Sequence, residues 1–271
     1  MPSNPTPYQA ELDIAIQAAL AAGAEIMQVY GEDDFAVEYK KDCSPLTEAD
    51  KRANALICRM LGGAFPNYAI LAEESKDDLA RLENDFCFVV DPLDGTKEFI
   101  KRNGQFTVNI ALAYRHRSVM GVIFVPATGE LYYANSGAGA YCEKPGTGTD
   151  KTKLKASDRL TDIRMVTSAS HGSVEEERLI EEHQIKHCLR IGSSLKGCLV
   201  ASGAAEIYYR WGPTMEWDTA AMQCIAEEAG AIFRQMDGAQ MLYNRENSRN
   251  DKGFYVVNRA ENIFKGRTPE I

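Results

Sequence analysis

Apolar residues recur at three- and four-residue spacing through Leu12, Ile16, Ala19, Gly23, Ile26 and Tyr30, which predicts an amphipathic helix over residues 10–30. Residues 37–42 read as a short polar-faced strand. Thr47 then opens a second helix as an N-cap, with Asp50 three residues on in a capping box that carries Asp in the Glu place. Ala53, Ile57, Met60 and Leu61 form the buried stripe of that helix, which ends near Gly62-Gly63. Tyr68-Ala69-Ile70-Leu71-Ala72 is a strand that stops at Glu73-Glu74-Ser75, and the polar residues 76–85 read as a surface loop. Phe86-Cys87-Phe88-Val89-Val90 has the length and composition of a buried strand, and Pro92 and Gly95 turn the chain after it.

The pattern then changes. Three strand-like runs, 106–113, 119–125 and 130–134, are joined by short connections, which implies an antiparallel meander. Residues 143–160 are poor in large apolar groups and mark a candidate boundary, dividing an N-terminal α+β domain, 1–150, from a C-terminal α/β domain, 151–271. Beyond it strands near 163–168, 188–191, 205–210, 231–235 and 253–257 alternate with helices near 173–183, 194–203 and 218–229, which implies αβ layers. No internal repeat or coiled-coil heptad stands out.

Composition narrows the function classes. Of 271 residues, 45% are hydrophobic, enough for a large core, and the formal net charge is −9. That charge disfavours binding to nucleic acid polymers or anionic lipid. No uncharged apolar run approaches membrane-spanning length, so no membrane insertion is expected. Seven cysteines without a CxxC read as reduced thiols of a cytoplasmic protein. The four histidines show no catalytic pattern; His183 and His187 have the spacing of a zinc pair but lack a third ligand nearby.

Four acidic patches fall at element ends: Glu73-Glu74, Asp91, Asp94 and Asp218. Taken singly, each has a plain structural role as turn former, helix cap or solvated acid. Three of them end strands that should be neighbours, so they would converge, and converging carboxylates repel unless a cation lies between them. Oxygen donors without Cys or His suit a hard cation such as Mg²⁺, and two-metal phosphoryl-transfer sites need such oxygens. Asp50 is explained by the capping box and is equally able to polarise a water. Thr96 caps the segment after Gly95, where free N–H groups would also cradle a phosphate. Gly192-Ser193-Ser194-Leu195-Lys196 reads either as a helix start or as an anion-binding segment, and Arg210 either as a surface charge or as a grip on a second phosphate.

Leu71-Ala72-Glu73-Glu74-Ser75, Asp91-Pro92-Leu93-Asp94-Gly95-Thr96 and Trp217-Asp218-Thr219-Ala220-Ala221 resemble the three metal motifs of the inositol monophosphatase superfamily. The segment from Lys41 to Asp50, the extension Lys97-Glu98-Phe99-Ile100, Gly192 to Lys196 and Gly212-Pro213-Thr214 resemble its CysQ-type 3′(2′),5′-bisphosphate nucleotidase branch. Cys43 and a missing Asn-Pro in residues 244–253 depart from that branch. The resemblance implies a layered αβαβα sandwich and a Mg²⁺-dependent phosphatase, with two or three ions, acting on a small nucleotide bisphosphate. The reaction would convert adenosine 3′,5′-bisphosphate to AMP and phosphate. By the same resemblance, Glu73, Asp91, the Leu93 carbonyl, Asp94 and Asp218 would hold the metals, Glu73 being the first Glu of its pair. Asp50, Thr96 and Glu73 would be catalytic. The substrate would meet the same metal centre, Gly95 and Thr96, together with Ser193, Ser194, Lys196 and Arg210. An inositol or sugar monophosphate phosphatase and a non-catalytic phospho-ligand sensor remain the alternatives. Oligomeric state stays open, a homodimer included.

Overall fold

The computed structural model describes residues 7–32, 37–39, 45–77, 79–170 and 172–264. Helix α1 (Gln9–Tyr30) leads to a small antiparallel pair, β1 (Val37–Tyr39) and β2 (Pro45–Thr47), and then α2 (Glu48–Ala64). Strands β3 (Ala69–Ala72) and β4 (Phe86–Asp94) run parallel, joined by a segment with a 3₁₀ turn at Ala80–Glu83, where the sequence predicts only a loop. The five-residue helix α3 (Thr96–Ile100) follows. An antiparallel run then adds β5 (Thr107–Tyr114), β6 (Arg117–Val125), β7 (Glu130–Asn135), β8 (Gly139–Lys144) and β9 (Thr149–Lys153), completing a seven-stranded sheet in chain order. The meander is thus two strands longer than expected. Residue 150 falls inside β9, and the chain leaves this sheet only after Lys153.

The second sheet is five-stranded. The chain beyond β9 runs through β10 (Arg164–Ser168), helix α4 (Val174–Glu182), β11 (His187–Ile191), helix α5 (Leu195–Ala201), β12 (Ile207–Arg210), the short β13 (Thr214–Met215), helix α6 (Glu216–Glu228), β14 (Ile232–Gln235), the short β15 (Arg249–Asn250) and β16 (Phe254–Val257). The strand order of the second sheet is β11-β10-β12-β16-β14; β13 and β15 pair apart from it.

The two-residue period of the strands sorts their side chains between layers. Phe88, Val90, Ile110, Leu112 and Val122 pack with Ile26, Ile57 and Leu61 under α1 and α2. Val89, Ala111 and Ile123 turn the other way, onto Ala221, Ile225, Val200 and the inner residues Val166, Tyr208 and Phe254 of the second sheet. Met165, Ile207, Tyr209 and Val257 line the outer face of that sheet with Leu179 of α4. The order is therefore α1/α2, first sheet, α5/α6, second sheet, α4, the expected αβαβα sandwich. By length and composition alone α1 passes as a membrane span, yet Ala15, Ala18, Ala19, Ala22 and Ile26 are fully buried against α2 and the sheet.

Helix α6 belongs to the second half of the chain but lies on the first sheet, and Gly121 permits the approach. A Cβ there would stand 2.5 Å from the Ala221 carbonyl. Gly121→Ala should therefore cost roughly 1–3 kcal/mol by overpacking and lower the melting temperature. An unchanged thermal midpoint would contradict this packing.

Candidate functional site

The site lies where β3 and β4 end and α6 begins. Leu71 faces α6, so Glu73, two residues on, falls on the same face; its N–H donates to the Val90 carbonyl at 3.1 Å, which places it beside Asp91. Asp91 continues the inward series of Cys87 and Val89. A regular strand would then send Asp94, three residues on, to the opposite face. The ladder avoids this: Asp91 pairs with Asn109 and Asp94 with Thr107, three residues against two. One residue is absorbed in a β-bulge around Pro92, a position that tolerates the missing proline N–H. The strand thus runs to Asp94 where the sequence suggested a turn at Pro92. The turn comes at Gly95, at φ +92°.

Carboxylate oxygens of Asp91, Asp94 and Asp218 lie within 4.8 Å of one another. Asp218 is the third residue of α6, and one of its oxygens, Oδ2, accepts the Met215 N–H at 2.7 Å. Asp50 stands at the same place in α2: its Oδ2 accepts the Thr47 N–H at 2.8 Å and the Thr47 hydroxyl at 2.5 Å. The two helix starts share the pattern Pro-x-x-Glu-x-Asp, at Pro45–Asp50 and Pro213–Asp218. Both are capped by the carboxylate that also faces the site. With Oδ2 of Asp50 held on the helix, Oδ1 lies 3.3 Å from the Thr96 hydroxyl, which is also 3.3 Å from the Leu93 carbonyl.

Electrostatics agree with a cation-binding cluster. Burial, then the charges of Glu73, Asp94 and Asp218, push the Asp91 carboxyl well above its usual range. Burial and Asp94 raise Asp218 to about 8, and burial raises Asp50 to about 6 despite its hydrogen bonds from Thr47. An all-oxygen donor set whose charges repel one another is what a hard divalent cation relieves, so the residues fit Mg²⁺. A raised carboxyl pKa means that stability is present below the unfolded value, 3.8, and is lost as pH rises through the folded value, about 8 for Asp218. Metal-free protein should accordingly melt several degrees lower at alkaline than at mildly acid pH, and added Mg²⁺ should flatten that decline. A metal-free melting temperature independent of pH would contradict the repulsion.

The cluster opens into a cavity of about 300 Å³ lined by Glu73, Asp94, Thr96, Ser193, Lys196 and Arg210, among others. The segment read as an anion site divides in two. Ser193 lines the cavity in a left-handed conformation, φ +50°, and the buried Lys196 ammonium donates to its carbonyl at 2.6 Å while lying 5.5 Å from the Tyr208 ring. Burial lowers the Lys196 pKa, opposed by Asp94. Ser194 lines the cavity as well, but its hydroxyl donates to Asp94 at 2.6 Å. Arg210 continues the inward face of Tyr208, and its Nε is buried without a hydrogen-bond partner among the described residues.

Two residues escaped the sequence reading. Asn109 lies in an apolar strand run, and only the bulge reveals that it meets Asp94. Glu216, fully buried, accepts from the Asn244 N–H at 2.6 Å and from Arg245 Nε at 3.0 Å, and so ties the loop before β15 to the start of α6. The three described histidines lie elsewhere: His116 meets the Tyr243 carbonyl, His183 stacks on Phe264 and His187 pairs with Asp162. The six described cysteines are free. Cys43, His171 and the segment from Lys41 to Ser44 lie outside the described residues.

Comparison with known proteins agrees with this geometry. The model of the inositol monophosphatase family matches residues 8–261. The 3′(2′),5′-bisphosphate nucleotidase CysQ of Salmonella typhimurium is 40% identical over 248 residues, 91% of this chain and 99% of its own. The crystal structure of CysQ from Bacteroides thetaiotaomicron superposes with a TM-score of 0.82 at 40% identity, over 93% of this chain and 99% of that one. An IMPase of Thermotoga maritima superposes at 0.77 with 25% identity, over 92% of each chain. From its sequence, its layers and its acidic cluster alike, the chain belongs to the inositol monophosphatase family.

Proposed function

We propose that the protein is a Mg²⁺-dependent 3′(2′),5′-bisphosphate nucleotidase that hydrolyses the 3′-phosphate of adenosine 3′,5′-bisphosphate to give AMP and phosphate. The observation that carries this reading is the cavity that joins an acidic cluster to an unpartnered arginine nitrogen: one end suits metal and scissile phosphate, the other a second phosphate. The 40% identity to a nucleotidase over nearly all of both chains supports the same substrate class.

Glu73, Asp91, the Leu93 carbonyl, Asp94 and Asp218 hold two or three Mg²⁺ ions in this reading. Bound there, Mg²⁺ supplies positive charge that neutralises the phosphoryl oxygens and acidifies water. The chain's own residues do the rest. The Thr96 hydroxyl accepts a hydrogen bond from the attacking water and passes a proton toward Asp50 Oδ1, while Thr47 fixes the other oxygen of that carboxylate. An Asp50 pKa of about 6 suits a proton acceptor near neutral pH. Glu73, just past the end of β3 and lining the same cavity, would help orient the water. The N–H groups of Gly95 and Thr96 take the scissile phosphate, and Ser193, Lys196 and Arg210 take the remainder of the nucleotide. The six free cysteines suit a reduced, cytoplasmic setting.

Arg210→Ala tests the second-phosphate assignment. A charge-assisted hydrogen bond is worth ~1.5–3 kcal/mol, so KM for adenosine 3′,5′-bisphosphate should rise roughly 10- to 100-fold. Hydrolysis of a monophosphate substrate should change little. An equal loss on both substrates would contradict the assignment.

A further inference from the structure

We propose that Asn109 and Ser194 are positioning residues that brace the Asp94 carboxylate for metal binding. The proposal rests on the reading of Asp94 as a magnesium ligand.

Asp94 Oδ2 is the centre of a closed polar triangle. The Ser194 hydroxyl donates to it at 2.6 Å, and Asn109 Nδ2 donates to it at 3.3 Å and to Ser194 Oγ at 2.9 Å. Ser194 Oγ also lies 3.1 Å from the Asp218 carbonyl, so one hydroxyl touches two residues of the acidic cluster. The Thr107 hydroxyl donates to Asn109 Oδ1 at 2.9 Å. That bond sets which end of the amide faces the carboxylate, because the oxygen is engaged elsewhere and the amino group is left for Asp94.

The bulge in β4 makes this arrangement possible. It sets Asp91 opposite Asn109 and Asp94 opposite Thr107, so neighbouring inward positions of β5 lie beneath both carboxylates. Ser194 arrives from the start of α5, 100 residues later in the chain than Asp94. A bond between them fixes the middle helical layer to the end of β4.

Burial separates Ser194 from its neighbour. Ser194 and Asn109 are each 1% exposed and Thr107 is fully buried, whereas Ser193 is 7% exposed and its side chain stands near Gly95. Ser194 borders the same cavity, but its hydroxyl is engaged by Asp94 at 2.6 Å and lies 3.1 Å from the Asp218 carbonyl. It can hold a ligand. With Oδ2 tied by two donors, the Asp94 carboxylate cannot rotate about its terminal torsion, and Oδ1 is presented to the cluster. Groups that orient metal ligands in this manner typically govern affinity by 10- to 100-fold.

The test is calorimetric titration of the intact protein with Mg²⁺ in the absence of substrate, for wild type, Ser194→Ala, Asn109→Ala and the double variant, with melting temperature in EDTA as the check on folding. Each single variant should bind Mg²⁺ about 10- to 100-fold more weakly while melting within a few degrees of wild type. At saturating Mg²⁺ the KM for adenosine 3′,5′-bisphosphate should stay within about twofold of wild type. The double variant should lose less than the product of the two single losses, since both groups act through one oxygen. Single variants with wild-type Mg²⁺ affinity overturn the proposal. So does a raised KM at saturating Mg²⁺ with unchanged affinity, which would return Ser194 to the nucleotide. Should Ser194→Ala fail to fold, Asn109→Ser, which leaves Ser194 in place, decides by the same criteria. A wild-type protein that binds no Mg²⁺ overturns the ligand reading of Asp94 and this proposal with it.

Discussion

Asp91→Asn is expected to lower phosphate release by at least about 10²–10³-fold, the range for loss of one preorganised electrostatic group, while raising the melting temperature of the metal-free protein. The two effects share a cause. Asp91 is 1% exposed and faces Glu73, Asp94 and Asp218. Without metal, burial and these neighbours disfavour its charge. Asparagine keeps the side-chain oxygen that accepts the Leu93 N–H at 3.1 Å, so the bulge is retained. It removes the charge that repels three neighbours, and with it a proposed metal ligand. Because the wild-type carboxyl is raised, the stability gain of the variant should grow with pH. The same variant should lose most of the upward shift in melting temperature that Mg²⁺ gives the wild type, since a ligand stabilises only the state that binds it. Thermal melts at pH 6 and pH 8, with Mg²⁺ and with EDTA, read all of this at once. A variant less stable than wild type in EDTA would mean that Asp91 has a structural partner outside the cluster.

The second large effect is expected at Thr96. Thr96→Val keeps the shape and removes the hydroxyl that the proposed mechanism sets between the attacking water and Asp50. Proton transfer by a positioned group contributes about 10²–10⁴-fold, and kcat should fall by that much. Mg²⁺ affinity should be retained, because no metal-binding carboxylate is altered. In the wild type, kcat should also fall as pH drops through the Asp50 value of about 6, since the protonated carboxyl no longer accepts the proton. In Thr96→Val that acid limb should disappear along with most of the rate. Persistence of the limb in the variant would show that another group carries it.

Much of the fold is legible from local pattern. The stripe from Leu12 to Tyr30 and the capping box at Thr47 mark α1 and α2 because each helix has one apolar face and a strong start signal. The acidic motifs stand out because carboxylates at the ends of apolar strands have few structural reasons to be there. What local pattern does not carry is register. Nothing around Pro92 announces that Asp91 and Asp94 pair with residues two apart, because a bulge is a property of two strands rather than one. In sequence Asn109 is therefore only one polar residue in an apolar run. Ser193 and Ser194 are adjacent in sequence and both border the cavity, and only the fold shows that the Ser194 hydroxyl is engaged by Asp94. The short strands β2, β13 and β15 are stabilised by their partners and have no pattern of their own. The edge strand β9 lies within the Lys-, Thr- and Gly-rich segment 143–160 that reads as a linker, and β8, which buries only Ala140, has no apolar stripe to mark it.

The central claim is tested most directly by phosphate release from adenosine 3′,5′-bisphosphate, inositol 1-phosphate and fructose 1,6-bisphosphate, each with Mg²⁺ and with EDTA, the nucleotide product being identified. Strong preference for the nucleotide, AMP as its product and silence in EDTA are the predicted result. Preference for inositol 1-phosphate or the sugar would contradict the nucleotide assignment while leaving the metal site in place, and release that survives EDTA would contradict the metal site itself.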